Sequence, residues 1–212
     1  MEAQIQSPFP WLTIWVKPRQ TIRRIIESDP KHQVVILAML AGVSRALDRA
    51  ASRNAGDALS LPVILAICVV AGPIGGLPSL YIAGALLRWT GSWLGGKASS
   101  EEVRAAIAWS SVPMICTLPL WIPKLVLYRN ELFQSSMPRV QAIPLLALPL
   151  LGFVAIEITV TIWAFVVLLK CLGEVHGFSA WRALVALTLA FLIVFVPVFL
   201  LAVLFTGLTI SP

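Results

Sequence analysis

Residues 143–169 read IPLLALPLLGFVAIEITVTIWAFVVLL, apolar but for two threonines and one carboxylate, Glu157. A helix rises about 1.5 Å per residue, so roughly 20 residues cross the ~30 Å hydrocarbon core of a bilayer. This stretch is long enough to do so, and a carboxylate inside it is costly. Three more runs have the same character: 61–87, 103–127 and 183–206. A fifth, 34–50, is weaker: its apolar stretch ends at Leu47, and Arg45, Asp48 and Arg49 crowd the far end. Arginine near a helix end snorkels to the interface, so this run also reads as a span. The expectation is an all-α integral membrane bundle of five transmembrane helices (34–212), preceded by a cytoplasmic interfacial segment (1–33).

Composition agrees, with 58% hydrophobic and 12% charged residues and a mean hydropathy of +0.89, against about 25% charged in ordinary soluble domains. The net charge of +6 is therefore read by loop rather than as a nucleic-acid footprint. With five spans, the loops on the side of the N-terminus hold ten basic residues and the opposite loops six. The basic excess lies on the cytoplasmic side. That places the N-terminus inside the cell and the "GLTISP" tail outside. No cleavable signal is read in the first thirty residues. Three cysteines without CxxC spacing support neither a disulfide nor a zinc framework.

Ahead of the first span, residues 8–30 read PFPWLTIWVKPRQTIRRIIESDP. Pro18 suits a first helical turn; Ile22, Ile25 and Ile26 share a face, and Arg19, Arg23 and Arg24 lie mostly elsewhere. With Trp11 and Trp15 ahead of it, this reads as an amphipathic helix lying flat on an anionic cytoplasmic leaflet. In the second run, AGPIGGLPSLYIAG (71–84), Gly72 and Gly76 form a small-xxx-small pair, while Pro73 and Pro78 each remove a helical hydrogen bond. Pro113, Pro119 and Pro123 repeat the theme in the third. Such helices serve either as packing kinks or as the walls of a cavity.

The connections carry a resemblance. WLTIWVKPRQTIRRIIESDP (11–30), RWTGSWLGGKASSEEVRAAIAWSSVP (88–113) and KCLGEVHGFSAWRAL (170–184) together resemble the Ypt-interacting protein (Yip) family in its short prokaryotic form. The local matches are Pro18-Arg19 with Thr21, Leu94-Gly95-Gly96-Lys97, Ala108 to Pro113, and Glu174-Val175-His176-Gly177-Phe178-Ser179. The resemblance implies a five-helix membrane protein with a cytoplasmic N-terminus. Eukaryotic relatives act in vesicle traffic and associate with prenylated Rab-type GTPases; this sequence departs from them in the long cytoplasmic N-terminal region and the Gly-Pro motif found there, so GTPase binding is not carried over. Physically the same loops punctuate helices. Gly95, Gly96 and Gly177 suit left-handed turns, Ser99 or Ser100 suits an N-cap followed by Glu101 and Glu102, and Ser179 starts the last helix.

Catalytic patterns are missing: no GxSxG, HExxH, P-loop or dinucleotide motif occurs, and Ser79, Ser110 and Ser111 have no base beside them. His32 and His176 read as solvated interfacial residues rather than metal ligands. The chain is thus read as non-enzymatic, without cofactor or metal. Its partners are membrane lipids and a protein partner or a second copy of itself, not nucleic acid. Glu157 is the residue in need of an account, since a charge at mid-helix costs on the order of 2.5–3.5 kcal/mol on insertion scales. Three explanations compete: a neutral hydrogen-bonded pin, an ion pair with Arg45, or a proton- or cation-handling group. The function expected is membrane organisation or partner recruitment; the alternative is a small proton- or cation-coupled channel or transporter.

Overall fold

The computed structural model describes residues 9–210, with side chains through Val203. Residues 1–8 of the N-terminal segment and the last two residues of the "GLTISP" tail lie outside the described residues. Among those described the regular structure is entirely helical. Two short helices, α1 (Pro10–Val16) and α2 (Pro18–Ser28), precede α3 (Val34–Ser52) and α4 (Leu61–Trp93). Then come α5 (Ser100–Ser110), α6 (Val112–Ile115), α7 (Trp121–Tyr128) and α8 (Pro138–Ala142), followed by α9 (Ala147–His176) and α10 (Ala180–Ile210).

Four stretches are long and apolar enough to cross a membrane: Leu61–Trp93, Ser100–Phe133, Pro144–His176 and Ala180–Val203. α3 is shorter, at 19 residues, and the charges in its last turns make it the least apolar of the four longest helices. Its length is nevertheless about 28 Å at 1.5 Å per residue. α4 stays helical through Pro73 and Pro78, so neither proline breaks it. The third stretch does break. α5 ends at Ser110, Pro113 enters the first turn of α6, and Pro119 lies in a 3₁₀ turn, Leu118–Leu120, before α7 begins. Proline is tolerated at each of these places because a first turn has no intrahelical partner for its N–H.

α3 and α4 form the closest helix pair, and the seam is made by glycine. A Cβ on Gly42 would collide with the Gly72 carbonyl, one on Gly76 with the Ala38 carbonyl, and one on Gly72 would stand 2.7 Å from Val43 Cα. Without side chains there, the two backbones touch, and the gain is dispersion rather than hydrophobic burial.

The apolar side chains gather in two clusters. One joins Ile14, Ile22, Ile25, Leu37, Val103, Trp109, Val167 and Cys171; the other joins Leu47, Ile64, Trp121, Tyr128 and Phe133. The first lies at the end of the bundle where α1 and α2 pack on α5 and α9, here called proximal. At the distal end the 53–60 connection meets the 3₁₀ turn after α7: Asn130 Nδ2 and Gln134 Nε2 donate to the Gly56 carbonyl at 3.3 and 3.4 Å. Tyr128 Oη donates to the Leu146 carbonyl at 2.7 Å.

Membership of Ile22 and Ile25 in the proximal cluster corrects the picture of an isoleucine face resting in lipid. These residues are 0% and 5% exposed because the turn after α2 folds the helix back over α5 and α9. The apolar face is satisfied by protein, and Arg19, Arg23 and Arg24 point outward.

Candidate functional site

Glu157 has a partner, and it is not Arg45. Lys124 Nζ donates to Glu157 Oε1 at 2.7 Å and also stands 4.4 Å over the Trp121 ring, which is stacked on Phe133 at 5.6 Å. Lys124 is only 6% exposed, so both ends of its side chain are fixed: the amine by a carboxylate and an aromatic face, the stem by the distal cluster. Arg45 is exposed and forms no ion pair among the described residues. The Arg45 alternative fails because Lys124, counted by charge among the outer-loop residues, reaches the carboxylate first. The break at residues 116–120 turns α7 so that Lys124 faces α9.

Beside this pair lies a cavity of about 150 Å³ lined by Asp48, Met114, Thr117, Glu157, Val160 and Thr161. It opens at the break in the third stretch: Met114 lies in the last turn of α6, and Thr117 lies between Ile115 of the proximal cluster and Trp121 of the distal one. Thr117 Oγ1 donates to the Met114 carbonyl at 2.7 Å, which leaves its lone pairs toward the cavity. The lining presents two carboxyl groups, of which Glu157 is paired with Lys124 outside the lining, and the hydroxyl oxygens of Thr117 and Thr161. It is suited to water, a proton or a hard cation, which oxygen ligands favour. Asp48 is a functional candidate that the sequence showed only as a charge crowding the end of α3.

The second cluster of polar contacts is at the proximal end, where the three Yip-like stretches converge. Arg23 of α2 is ion-paired with Glu174 of α9, its Nε donating at 2.6 Å. Lys31 Nζ is 3.2 Å from Glu101. Trp11 Nε1 donates to Gln33 at 3.1 Å, Trp109 Nε1 to the His32 carbonyl at 3.3 Å, and Trp163 Nε1 to the Trp15 carbonyl at 3.1 Å.

His176, expected in solvent, is instead 4% exposed and lies between the backbones of Gly91 and Gly96, where a Cβ on either glycine would collide with its ring. The main chain explains how it gets there. Gly177 adopts φ +73 and ends α9 in a left-handed turn, with the Phe178 N–H donating back to the Gly173 carbonyl at 2.8 Å. Ser179 Oγ then accepts from the Arg182 N–H at 3.4 Å. On the facing loop Gly95 has φ +83, and Ser99 and Glu102 close a capping box on α5 at 3.2 and 2.6 Å.

Lys97, Arg19 and Arg24 are exposed at this end, beside the exposed pair Trp89 and Trp93, whose rings meet edge to face at 4.8 Å. α4 contributes nothing to the lining of the polar cavity, so Pro73 and Pro78 do not shape it. Pro113 is buried in α6, and Pro119 is exposed at the break.

Long apolar helices joined by tightly capped turns, with charge at mid-bundle neutralised by an internal partner, define an integral membrane protein. The chain belongs to the Yip family: the family model described as the Yip1 domain matches residues 12–202. That match spans both the polar cavity and the proximal face. No curated protein and no solved structure matches the chain.

Proposed function

We propose that this Yip-family protein organises lipids and recruits partners at its proximal face, as a non-enzymatic component of a prokaryotic inner membrane with that face in the cytoplasm. One observation carries the reading: the N-terminal helices, the 94–99 loop and the 174–179 turn, far apart in sequence, are packed into one surface edged by Arg19, Arg24, Lys97 and paired tryptophans. Basic side chains with tryptophan suit an anionic headgroup layer, at about 1 kcal/mol per basic residue near the surface. α3 is read as a fifth span, since about 28 Å of helix lies antiparallel to α4 and joins the two ends. Five spans put the C-terminus outside.

The test is lipid retention by the full-length protein released from membranes into detergent and weighed by native mass spectrometry. Phosphatidylglycerol is expected to stay bound in preference to phosphatidylcholine, and Arg24→Glu with Lys97→Glu to abolish the preference. Equal retention of the two lipids by the parent overturns the reading.

A second reading, proton or cation coupling at Glu157, is favoured by the polar cavity that reaches this carboxylate. Its test is flux in proteoliposomes: unchanged proton and alkali-cation flux in Glu157→Gln and Asp48→Asn removes it.

A further inference from the structure

His176 lies seven residues past the end of the apolar run at Leu169, and neither of its ring nitrogens makes a well-aligned hydrogen bond, the Leu87 carbonyl of α4 standing beside the ring out of line. The ring is gripped on two sides by backbone, at Gly91 and Gly96, and Phe178 stacks on it at 5.0 Å with an interplanar angle of 1°. A neutral imidazole has one donor and one acceptor; the imidazolium has two donors and a charge. In this cradle the neutral ring has at best the misaligned Leu87 carbonyl for its one donor, and a proton would add an unmet donor and an ionised group away from solvent. That cost is relieved when the ring leaves.

The charged groups around the cradle do not remove it. Glu102 of α5 has Oε2 committed to the Ser99 N–H at 2.6 Å. Glu174, two residues back on α9 and so about half a turn away, is held by Arg23 of α2. Lys97, on the loop itself, has the sign that opposes an imidazolium. The loop is tied to the ring's own residue, with the Lys97 N–H donating to the His176 carbonyl at 3.4 Å and the Gly96 N–H to the Gly91 carbonyl at 2.9 Å.

We propose that His176 is a proton-operated latch on the 94–98 connection: neutral, it locks the connection between α4 and α9; protonated, it swings out and frees the loop and the start of α5. The locked form is complete at neutral pH and is lost as the pH falls below the ordinary titration range of histidine, near 6.5. The latch would regulate the face proposed above. Its test reads backbone opening, which stands or falls independently of lipid or partner binding.

The experiment is amide hydrogen exchange on the full chain in nanodiscs at pH 7.5 and pH 5.5, corrected for intrinsic exchange and read at Gly96 and Lys97. In the parent, protection is expected to fall at least tenfold on acidification; in His176→Phe, which keeps the stack on Phe178 and needs no hydrogen bond, it is expected to hold. His176→Leu takes its place should the phenylalanine variant not fold. The proposal is overturned by protection in the parent that does not change with pH. It is equally overturned if the histidine-free variant loses as much protection as the parent, or if Glu102→Gln or Glu174→Gln abolishes the response.

Discussion

Two glutamates on α9 each meet a basic side chain, and the two pairs differ in almost every other respect. Glu174, at the proximal end, holds Arg23, whose side chain is 63% exposed; Glu157, at mid-helix, holds Lys124, whose side chain is 8% exposed. The first pair joins an outer helix to the bundle where water competes for the arginine, although Glu174 itself is only 11% exposed. The second neutralises a carboxylate where the surroundings offer little else, and it joins two segments that a broken helix would otherwise leave loosely related. The same chemistry is thus a surface tie in one place and a condition of burial in the other, because solvation decides what an ion pair is worth.

The largest effect that follows is at Lys124. Lys124→Met keeps the stem over Trp121 and removes the charge, leaving Glu157 without its partner. Breaking a buried pair costs about 3–5 kcal/mol, and the open side of the cavity puts this case on the order of 3. Chemical unfolding in mixed micelles measures it. Adding Glu157→Gln is expected to recover most of the loss, because no charge is then stranded. A Lys124→Met variant as stable as the parent would erase the distinction between the two pairs.

Next in size is Gly96→Leu. If the proximal end is held by packing more than by charge, filling the space occupied by the His176 ring costs about 1–3 kcal/mol, the range for overpacking. The same unfolding assay should also show Ser99→Ala costing about 1 kcal/mol through loss of the α5 cap. A proximal end indifferent to Gly96→Leu, yet sensitive to removal of Arg23, would reverse the assignment.

What could be read in advance differs between the two regions for the same physical reason. Hydropathy reports solvent, so the long apolar runs, the isolated Glu157 and the punctuation at Ser99 and Gly177 were all visible in one dimension. Contacts that depend on a change of helical register were not. The 3₁₀ turn at Leu118–Leu120 rises about 2 Å per residue with three residues per turn, which redirects α7 and carries Lys124 to Glu157. In one dimension Arg45 stands out instead, as the arginine set deepest within an apolar run. His176 misled in the opposite sense. A histidine between a glutamate and a glycine reads as solvated, and only the meeting of two glycine backbones from another loop buries it. Asp48 had no signal beyond its charge, because the cavity it lines is made by residues more than sixty positions away.

The smallest expected effect is the most direct test of the surface tie. Arg23→Ala removes the proximal ion pair; water already solvates most of the arginine, but Glu174 is only 11% exposed, so the loss falls toward the upper end of the roughly 0.2–1 kcal/mol range for exposed pairs, about 1 kcal/mol. Because the Debye length is about 8 Å at physiological ionic strength and about 3 Å at 1 M salt, the difference between parent and Arg23→Ala should shrink further as salt is raised. The Lys124→Met difference should barely move. α2 keeps Ile22 and Ile25 in the proximal cluster in either case, so it is expected to stay docked on apolar contact alone. Exchange protection of α2 amides measures that directly. Loss of protection throughout α2 on removing one exposed arginine would show that the tie, not the isoleucine face, holds the N-terminal helices to the bundle.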